Sequence, residues 1–472
     1  MDEDILDYAL KYAEKSKIEY GEVRGQSQTV DRILLRNGKL EAYAVAEDSG
    51  FCVRIMANGG IGFASTNKWS KTEARQIVDL ALKYAKAAKR KEKLTFAKEK
   101  VTKTKWTVDQ KNKIENVPSE ERVEALAEVD NALASCNVKI AATMSSCSID
   151  LITKYFVNSE GSEISSFVPQ IGAYFFITVM EQGKTEQASE QFGYSGGWEA
   201  LKQWNIKAKM VENAKVLKDV ITKAQTVKPG KMDLVCGSEV TGIAAHESCG
   251  HPMEADRILG REMSQAGRSF VFKDGPFWTG TRIGSAAVTI VDDPTIEHSY
   301  GYYPFDDEGV KARRRFLYKE GVINEFLHNR ESAAKLDTRS NGSSRSMNYD
   351  RESIVRMANT FVLPGELSEE ELIEDVKNGI YMKSFTEWNI DDKRFNQRYV
   401  GREAYLIENG ELKGPVARPV IETTTQKFWT SVDAVSNEVK FDSATCGKGD
   451  PSQGAPVYTG GPCLRLRGVF VK

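Results

Sequence analysis

Alternating apolar runs separated by glycine-containing pairs constrain the N-terminal part of this chain more than any other feature. Such runs fill residues 20–66, with Asn37-Gly38 and Gly59-Gly60 at the turns between them. A period of two places the apolar side chains on one face of a strand, and these dipeptides favour tight hairpin turns. The segment therefore predicts antiparallel strands.

Helical periodicity flanks these strands. An apolar face recurs at helical spacing from Glu3 to about Ser16, and a second helix follows the strands. Pro118-Ser119 predicts the start of a third helix. Strands then fill about 137–194, and a long helical stretch runs over about 198–225. Strands and helices thus occur in separate groups, which predicts an α+β fold with mixed, largely antiparallel sheets.

Two changes in composition divide the chain into three segments. Residues 83–113 are rich in lysine and poor in large apolar side chains, and residues 226–230 carry Pro and Gly together. We therefore predict an N-terminal α/β domain with a basic linker at 1–112, a central α+β domain at 113–227 and a β-rich C-terminal domain at 228–472.

The charge balance argues against polyanionic partners. The chain has 65 Lys and Arg against 67 Asp and Glu, so nothing global predicts binding to nucleic acid or to an anionic membrane. The basic stretch 83–113 is a candidate nucleic-acid patch. We interpret it as a solvated helix end and linker, because only Phe96 and Trp106 interrupt the charges. We expect no nucleic-acid partner and no membrane association.

Cysteine usage and the N-terminus predict a cytoplasmic, soluble protein. The odd number of cysteines and the absence of CxxC spacing favour reduced thiols over a disulfide framework. The N-terminal MDEDILDYALKYAEKS is acidic and lacks the features of a signal peptide. The cysteines are Cys52, Cys136, Cys147, Cys236, Cys249, Cys446 and Cys463.

The stretch MDLVCGSEVTGIAAHESCGHP carries the strongest chemical pattern, H-E-x-x-x-H at His246, Glu247 and His251. Residues 232–236 predict a short buried strand, and a helix begins at Ser238. Two nearby imidazoles can bind Zn²⁺, and a carboxylate beside the first can activate water. The alternative is two histidines that make ordinary hydrogen bonds at a helix end.

The spacing of the two histidines predicts an irregular helix. In H-E-x-x-H they lie about 40° apart around a helix, whereas five-residue spacing separates them by about 140°. Gly250 loosens the last turn, and Pro252 disfavours helical backbone at His251. We therefore predict that the helix widens or ends at Gly250, so that His251 swings back toward His246.

A catalytic zinc site needs at least a third protein ligand. Spacing alone cannot choose among the candidates. Those near the motif are Glu254, Asp256 and Cys249, and the distant ones are His298, His328, Cys446 and Cys463.

Seven ordered stretches across nearly the whole chain resemble the TldD/PmbA family, and specifically its TldD-type subunits. They are RNGKLEAY, VRIMANGGIGFAST, the HESCGH core, VDDPTIEHSYGYYPFDDEG, SNGSSR, VRMANTFVLPG and TCGKG. The resemblance implies a zinc metalloprotease in which a C-terminal cysteine, here Cys446 of TCGKG, is the third ligand and Glu247 is the general base. Cys463 departs from the family pattern, and either competes for metal or packs. The C-terminal domain is then the metal-binding, catalytic one.

The resemblance also implies substrates and partners. It predicts hydrolysis of unfolded or extended peptides, and a homodimer or a heterodimer with a PmbA/TldE-like subunit. The alternatives are a zinc amidase acting on a narrow small-molecule or modified-peptide substrate, and a non-catalytic partner subunit.

Polar residues in the resembling stretches admit two interpretations. Arg345, Arg356 and Asn359 could orient substrate, but we favour a role in supporting the fold. Residues 306–308 form the acidic triplet of FDDEG. This triplet could bind a second cation, but we favour a surface turn.

Overall fold

A computed structural model of the chain describes residues 1–88, 92–262, 264 and 266–472. Residues 89–91 of the predicted basic linker lie outside this description. The N-terminal half is built around one seven-stranded sheet with the order β3-β2-β1-β5-β6-β4, in which β7 also pairs with β6. Its strands are β1 (Tyr20–Arg36), β2 (Lys39–Ala57), β3 (Gly60–Thr66), β4 (Lys103–Thr107), β5 (Ile140–Asn158), β6 (Glu163–Glu181) and β7 (Lys184–Ser195).

Tight turns produce the predicted antiparallel strands. Asn37 and Gly38 have φ values of 49° and 72°, and Asn58 and Gly59 have values of 55° and 71°. Positive φ at both central residues suits the right-handed twist of a hairpin, and Asn and Gly tolerate that backbone best. The strands β1, β2 and β3 therefore pair consecutively, as predicted.

Among the residues described, five helices cover this sheet, and their buried faces form two separate cores with the strands. They are α1 (Glu3–Glu14), α2 (Lys71–Ala87), α3 (Ser119–Ala134), α4 (Ala200–Gln203) and α5 (Ile206–Lys223). The predicted helix over 198–225 is interrupted between α4 and α5. The reason is that Asn205 adopts left-handed backbone with φ of 47°, which cannot continue a right-handed helix.

The seven-stranded sheet joins the first two predicted segments. Strand β1 pairs with β5 across the predicted boundary at 112. Residues 103–107 of the predicted linker form β4, which pairs in parallel with β6. The division into three domains therefore stays a prediction about folding units.

The described residues of the C-terminal half form three further sheets, so the predicted α+β class is confirmed. Their orders are β11-β10-β9-β14-β23-β22, β12-β13 and β16-β17-β20-β24-β8-β15-β18-β19, with β21 beside β24 in the last. The strands are β8 (Gly230–Cys236), β9 (Ile290–Asp292), β10 (Arg315–Lys319), β11 (Val322–Ile323), β12 (Ser344–Arg345), β13 (Ile354–Val355), β14 (Asn359–Val362), β15 (Asn378–Met382), β16 (Phe385–Ile390), β17 (Asn396–Gly401), β18 (Ala404–Glu408), β19 (Glu411–Pro415), β20 (Val420–Thr424), β21 (Val432–Val435), β22 (Lys440–Lys448), β23 (Gln453–Gly461) and β24 (Leu464–Val471).

One helix lies in the core of this half. The remaining helices are α6 (Ser238–Ala245), α7 (Ala255–Ile258), α8 (Arg330–Lys335), α9 (Glu369–Glu374) and α10 (Thr425–Thr430). Helix α6 packs against strands β14, β22 and β23 of one sheet and β8 of another, and its apolar residues belong to a single large core. In the part of the chain described, no helix is long and apolar enough to cross a membrane.

Buried charges join the two halves. Arg54 of β2 donates to Glu22 of β1 at 2.9 Å and to Glu308 at 2.7 Å, and all three side chains are at most 5% exposed. Asp307 accepts a hydrogen bond from Lys154 at 2.9 Å. The prediction of a surface turn at 306–308 was therefore wrong, because Asp307 and Glu308 pair with the N-terminal sheet and the buried Asp306 accepts backbone hydrogen bonds from Glu308, Val310 and Ser344.

Replacing Arg54 tests this buried contact. Arg54→Met leaves Glu22 and Glu308 buried without their shared cation, which should lower the free energy of unfolding by about 3–5 kcal/mol. Denaturant unfolding followed by tryptophan fluorescence measures the change. Arg36→Met is the control, because its pair with Glu41 is exposed and should contribute nothing measurable. Equal stability of wild type and Arg54→Met would contradict the proposed contact.

Candidate active site

The H-E-x-x-x-H motif lies on a widened turn of helix. Helix α6 ends at Ala245, and a π-helical turn, His246–Gly250, follows it. The backbone N–H of His251 donates to the carbonyl of His246. A bond that spans five residues stacks the last residue over the first, and the two rings lie 4.8 Å apart, nearly perpendicular at 81°. The predicted widening at Gly250 is confirmed.

Close packing explains glycine at the end of this turn. A Cβ on Gly250 would lie 2.0 Å from Sδ of Met357, so no larger residue fits without a shift. Ser248 donates to the carbonyl of Ala244 at 2.7 Å and accepts a hydrogen bond from Nε1 of the fully buried Trp429 at 2.9 Å. The irregular backbone is thus held from within the helix and from α10.

Cys446 reaches the motif from the hairpin of β22 and β23. Its Sγ lies 3.3 Å from Nε2 of His251. The guanidinium of Arg356 holds this hairpin by donating to the carbonyls of Cys446 and Gln453. Ligand atoms of His246, His251 and Cys446 all lie within 4.8 Å of one another, and the three side chains are buried. The structure therefore brings together the three residues predicted as metal ligands.

The electrostatics of these groups favour metal binding. Burial lowers the pKa of His246, and burial with the nearby Arg394 lowers the pKa of His251 to about 4, so both imidazoles are neutral near pH 7. Burial would raise the pKa of the Cys446 thiol, but His251 and Arg356 favour the thiolate and bring this pKa down to about 7. Neutral imidazoles and a thiolate are the forms that bind metal.

Glu254 lies behind His251, not beside it in the cluster of ligand atoms. Its Oε2 accepts a hydrogen bond from Nδ1 of His251 at 2.8 Å and another from Arg257 at 2.5 Å. Burial alone would raise the pKa of Glu254, but Lys448 and Arg257 lower it well below its usual value. A carboxylate on Nδ1 fixes the ring and leaves Nε2 unprotonated toward Cys446, as in many metal sites.

The other sequence candidates have different partners. Asp256 pairs with Lys448 at 2.7 Å, and burial raises the pKa of Cys249 well above its usual value. Burial likewise raises the pKa of Cys463 to about 12. The contacts of the distant candidates are Cys463 Sγ to Glu369 at 3.4 Å, His298 Nδ1 to the Ser195 carbonyl at 2.9 Å, and His328 Nδ1 to Ser332 Oγ at 3.2 Å.

The residues present fit a zinc ion. Nδ1 of His246 is buried and has no hydrogen-bond partner among the described residues. A buried polar atom without a hydrogen-bond partner is unfavourable in a protein interior. A metal ion and the water bound to it would explain why this buried cluster is polar. Two imidazoles and one thiolate suit zinc, which accepts nitrogen and sulfur ligands and keeps a fourth position open in catalytic sites.

Sequence reasoning missed one buried residue at this site. The carboxylate of Glu247 pairs with the guanidinium of Arg394, and both side chains are less than a tenth exposed. Arg394 lies in the connection between β16 and β17. Nothing in the local sequence marks it, because no motif surrounds it and 147 positions separate it from Glu247.

Arg345, Arg356 and Asn359, for which the sequence left two interpretations open, donate hydrogen bonds to backbone carbonyls of the protein. Arg345 donates to the carbonyls of Met357 and Pro456. Arg356 holds the β22–β23 hairpin, and Asn359 donates to the carbonyl of Asp293 at 2.6 Å. These contacts are those of residues that support the fold.

Comparisons with known proteins match the chain to metallopeptidases over most of its length. Models of the PmbA/TldA metallopeptidase family match residues 21–85 as domain 1, 112–224 as the central domain and 229–472 as the C-terminal domain. A metalloprotease of Methanocaldococcus jannaschii is 31% identical over 452 residues, which cover 95% of this chain and 96% of that protein. One of Methanothermobacter thermautotrophicus is 30% identical over 458 residues, with 97% and 96% covered.

More distant proteins extend the match. A protein of Saccharolobus solfataricus named as a zinc metalloprotease TldD homolog is 24% identical over 470 residues, with 98% of both chains covered. A crystal structure from Thermotoga maritima, described as a modulator of a DNA gyrase, has a TM-score of 0.79 at 18% identity and covers 100% of both chains. TldE from Thermococcus kodakarensis has a TM-score of 0.75 at 16% identity, with 99% of both covered. These two structures share the fold.

The family models together cover most of the chain, and relatives named metalloproteases match it almost from end to end. The chain therefore belongs to the PmbA/TldD family of metallopeptidases, as a TldD-type member.

Proposed function

We propose that this chain is a zinc-dependent peptidase of the H-E-x-x-x-H type that hydrolyses unfolded or extended peptides. His246, His251 and Cys446 hold the metal, and Glu247 is the general base. The convergence of the three donors carries this proposal, since Cys446 lies 195 positions from His251 and yet its sulfur lies beside the imidazole. The relative from Saccharolobus solfataricus is named as a zinc metalloprotease, which supports zinc as the metal.

The protein's own residues supply the proton transfers. Zinc, when bound here, would provide Lewis acidity that acidifies a water and polarises the scissile carbonyl. Glu247 accepts the proton of the attacking water and delivers it to the leaving amine. Glu254 holds the ring of His251, and Arg356 holds the strand of Cys446, so both ligands are fixed before substrate arrives.

An exposed strand at the edge of a sheet favours a substrate that binds as an extended peptide. Strand β16 is at one edge of the nine-stranded sheet, and most of its residues are exposed. The chain leaves β16 through the turn that carries Arg394 to Glu247. A peptide that adds to this edge binds through its backbone, which allows cleavage with little sequence preference.

We also propose that the working form is a cytoplasmic dimer, either of two copies or with a PmbA/TldE-like subunit. The shared fold of TldE from Thermococcus kodakarensis supports a related partner.

The alternative of a narrow zinc amidase predicts hydrolysis of one substrate only, and a non-catalytic partner predicts none. Cleavage of many members of a panel of unfolded peptides with unrelated sequences favours the peptidase over the amidase, and a metal assay of the purified protein tests the non-catalytic partner.

Glu247→Gln tests the general base. The substitution keeps the shape of the side chain but removes its ability to accept a proton, so kcat should fall by about 10²–10⁴-fold while zinc stays bound. Peptide hydrolysis and elemental analysis measure the two effects. Glu411→Gln is the control, because Glu411 is exposed on β19. Turnover at the wild-type rate in Glu247→Gln would rule out this role.

Cys446→Ser tests the third ligand. A hydroxyl binds zinc far less well than a thiolate, so the purified variant should lose its zinc and its peptidase activity together. Cys463→Ser is the matched control, since Cys463 contacts Glu369 and should leave the zinc content unchanged. Full zinc occupancy in Cys446→Ser, or zinc lost only from Cys463→Ser, would contradict the assignment.

The pH dependence of zinc affinity provides a further prediction. Below its pKa of about 7, Cys446 must release a proton to bind zinc. The apparent affinity should therefore fall about tenfold per pH unit as the pH drops below 7, and more steeply near the His251 pKa of about 4. Competition with a chromophoric chelator, corrected for the chelator's own protonation, measures this. Affinity that does not change between pH 5 and 7 would show that no thiol proton is displaced.

A further inference from the structure

We propose that Arg394 is a positioning residue for peptide hydrolysis, which holds one carboxylate oxygen of Glu247 so that the other is available to the attacking water. The inference rests on the proposed function, in which Glu247 is the general base. The guanidinium donates to Oε2 of Glu247, and Oε1 makes no hydrogen bond to any described residue.

Burial makes this ion pair a strong restraint. The side chains of Arg394 and Glu247 are 8% and 6% exposed. In such a site an arginine hydrogen bond is charge-assisted, and solvent screens it little. A carboxylate with one fixed oxygen cannot rotate freely, so the entropy of orienting the base is lost before substrate binds.

The protein also fixes Arg394 itself. Its φ of 62° lies in the left-handed region, which is uncommon for non-glycine residues. The backbone N–H of Arg394 donates to Asp391 at 2.9 Å, and its carbonyl accepts from Thr425 Oγ1 at 3.0 Å. Nε donates to the carbonyl of Ala266 at 3.2 Å. Both the backbone and the side chain of Arg394 are therefore held in place.

One short helix links both partners of the pair. Thr425, the first residue of α10, binds the carbonyl of Arg394, and Trp429, four residues later, binds the hydroxyl of Ser248. Ser248 is the neighbour of Glu247 on the π-helical turn. Residues four apart lie on the same face of a helix, so α10 sets the separation of Arg394 and Glu247.

The test compares metal-loaded wild type, Arg394→Ala and Arg394→Lys. Crystal structures should show that the Glu247 carboxylate leaves its wild-type position in Arg394→Ala. Elemental analysis should show that the metal is retained. On an unfolded peptide, kcat should fall by about 10²-fold with little change in KM, because a misplaced base affects the chemical step. Arg394→Lys keeps the charge but not the forked donors, and should be intermediate.

Two controls separate positioning from other roles. Added guanidinium ion should restore part of the lost kcat in Arg394→Ala but none in Glu247→Gln. Arg398→Ala, on the neighbouring strand β17, should behave as wild type, because the partners of Arg398 among the described residues are the exposed Glu387 and Glu422.

Three results would overturn the inference: an unmoved Glu247 carboxylate in Arg394→Ala, a wild-type kcat in that variant, or metal loss from both Arg394 variants. Failure of the proposed function looks different, since wild type would then cleave no peptide in the panel. In that case the position of Glu247 in Arg394→Ala still decides whether Arg394 orients it.

Discussion

The hydrogen bond from the backbone N–H of His251 to the carbonyl of His246 is the interaction on which the candidate site depends. It widens one turn of α6 and stacks two histidines that a regular helix would direct to different sides. A widened turn is less stable than a regular helical turn when it is isolated. Here the surrounding residues stabilise it by packing and hydrogen bonding. The absence of a side chain at Gly250 leaves room for Met357, and Nε1 of Trp429 donates a hydrogen bond to Ser248 in the middle of the turn. The widened turn therefore depends on contacts with the surrounding C-terminal core as well as on its own residues.

Buried charges organise the region around this turn. Glu254 accepts from His251 and Arg257 and also lies 3.3 Å from Lys448, while Arg394 reaches Glu247 from the connection between β16 and β17. Each charge has a partner, so the interior tolerates them. The same logic applies at Arg54, where a single guanidinium joins strands of the N-terminal sheet to the C-terminal half. Rigid support of this kind fixes the ring of His251, one of the proposed metal ligands.

Local features were predictable from the sequence, and distant contacts were not. Glycine, proline and the histidine spacing predicted the widening at Gly250, since those effects act within one turn. The partnership of Cys446 came from the family resemblance, because 195 positions of intervening chain carry no spacing rule. Arg394 was missed for the same reason. The helix break at Asn205 and the burial of Asp306 and Glu308 depend on backbone and ion-pair contacts that periodicity does not encode.

Anomalous X-ray diffraction across the zinc absorption edge would locate the metal directly. We expect one strong peak at full occupancy, bonded to a ring nitrogen of His246, to Nε2 of His251 and to Sγ of Cys446, at about 2.0–2.1 Å from nitrogen and about 2.3 Å from sulfur. Crystals grown with zinc that show no peak there, or a peak bound by other residues while the two imidazoles point apart, would contradict it.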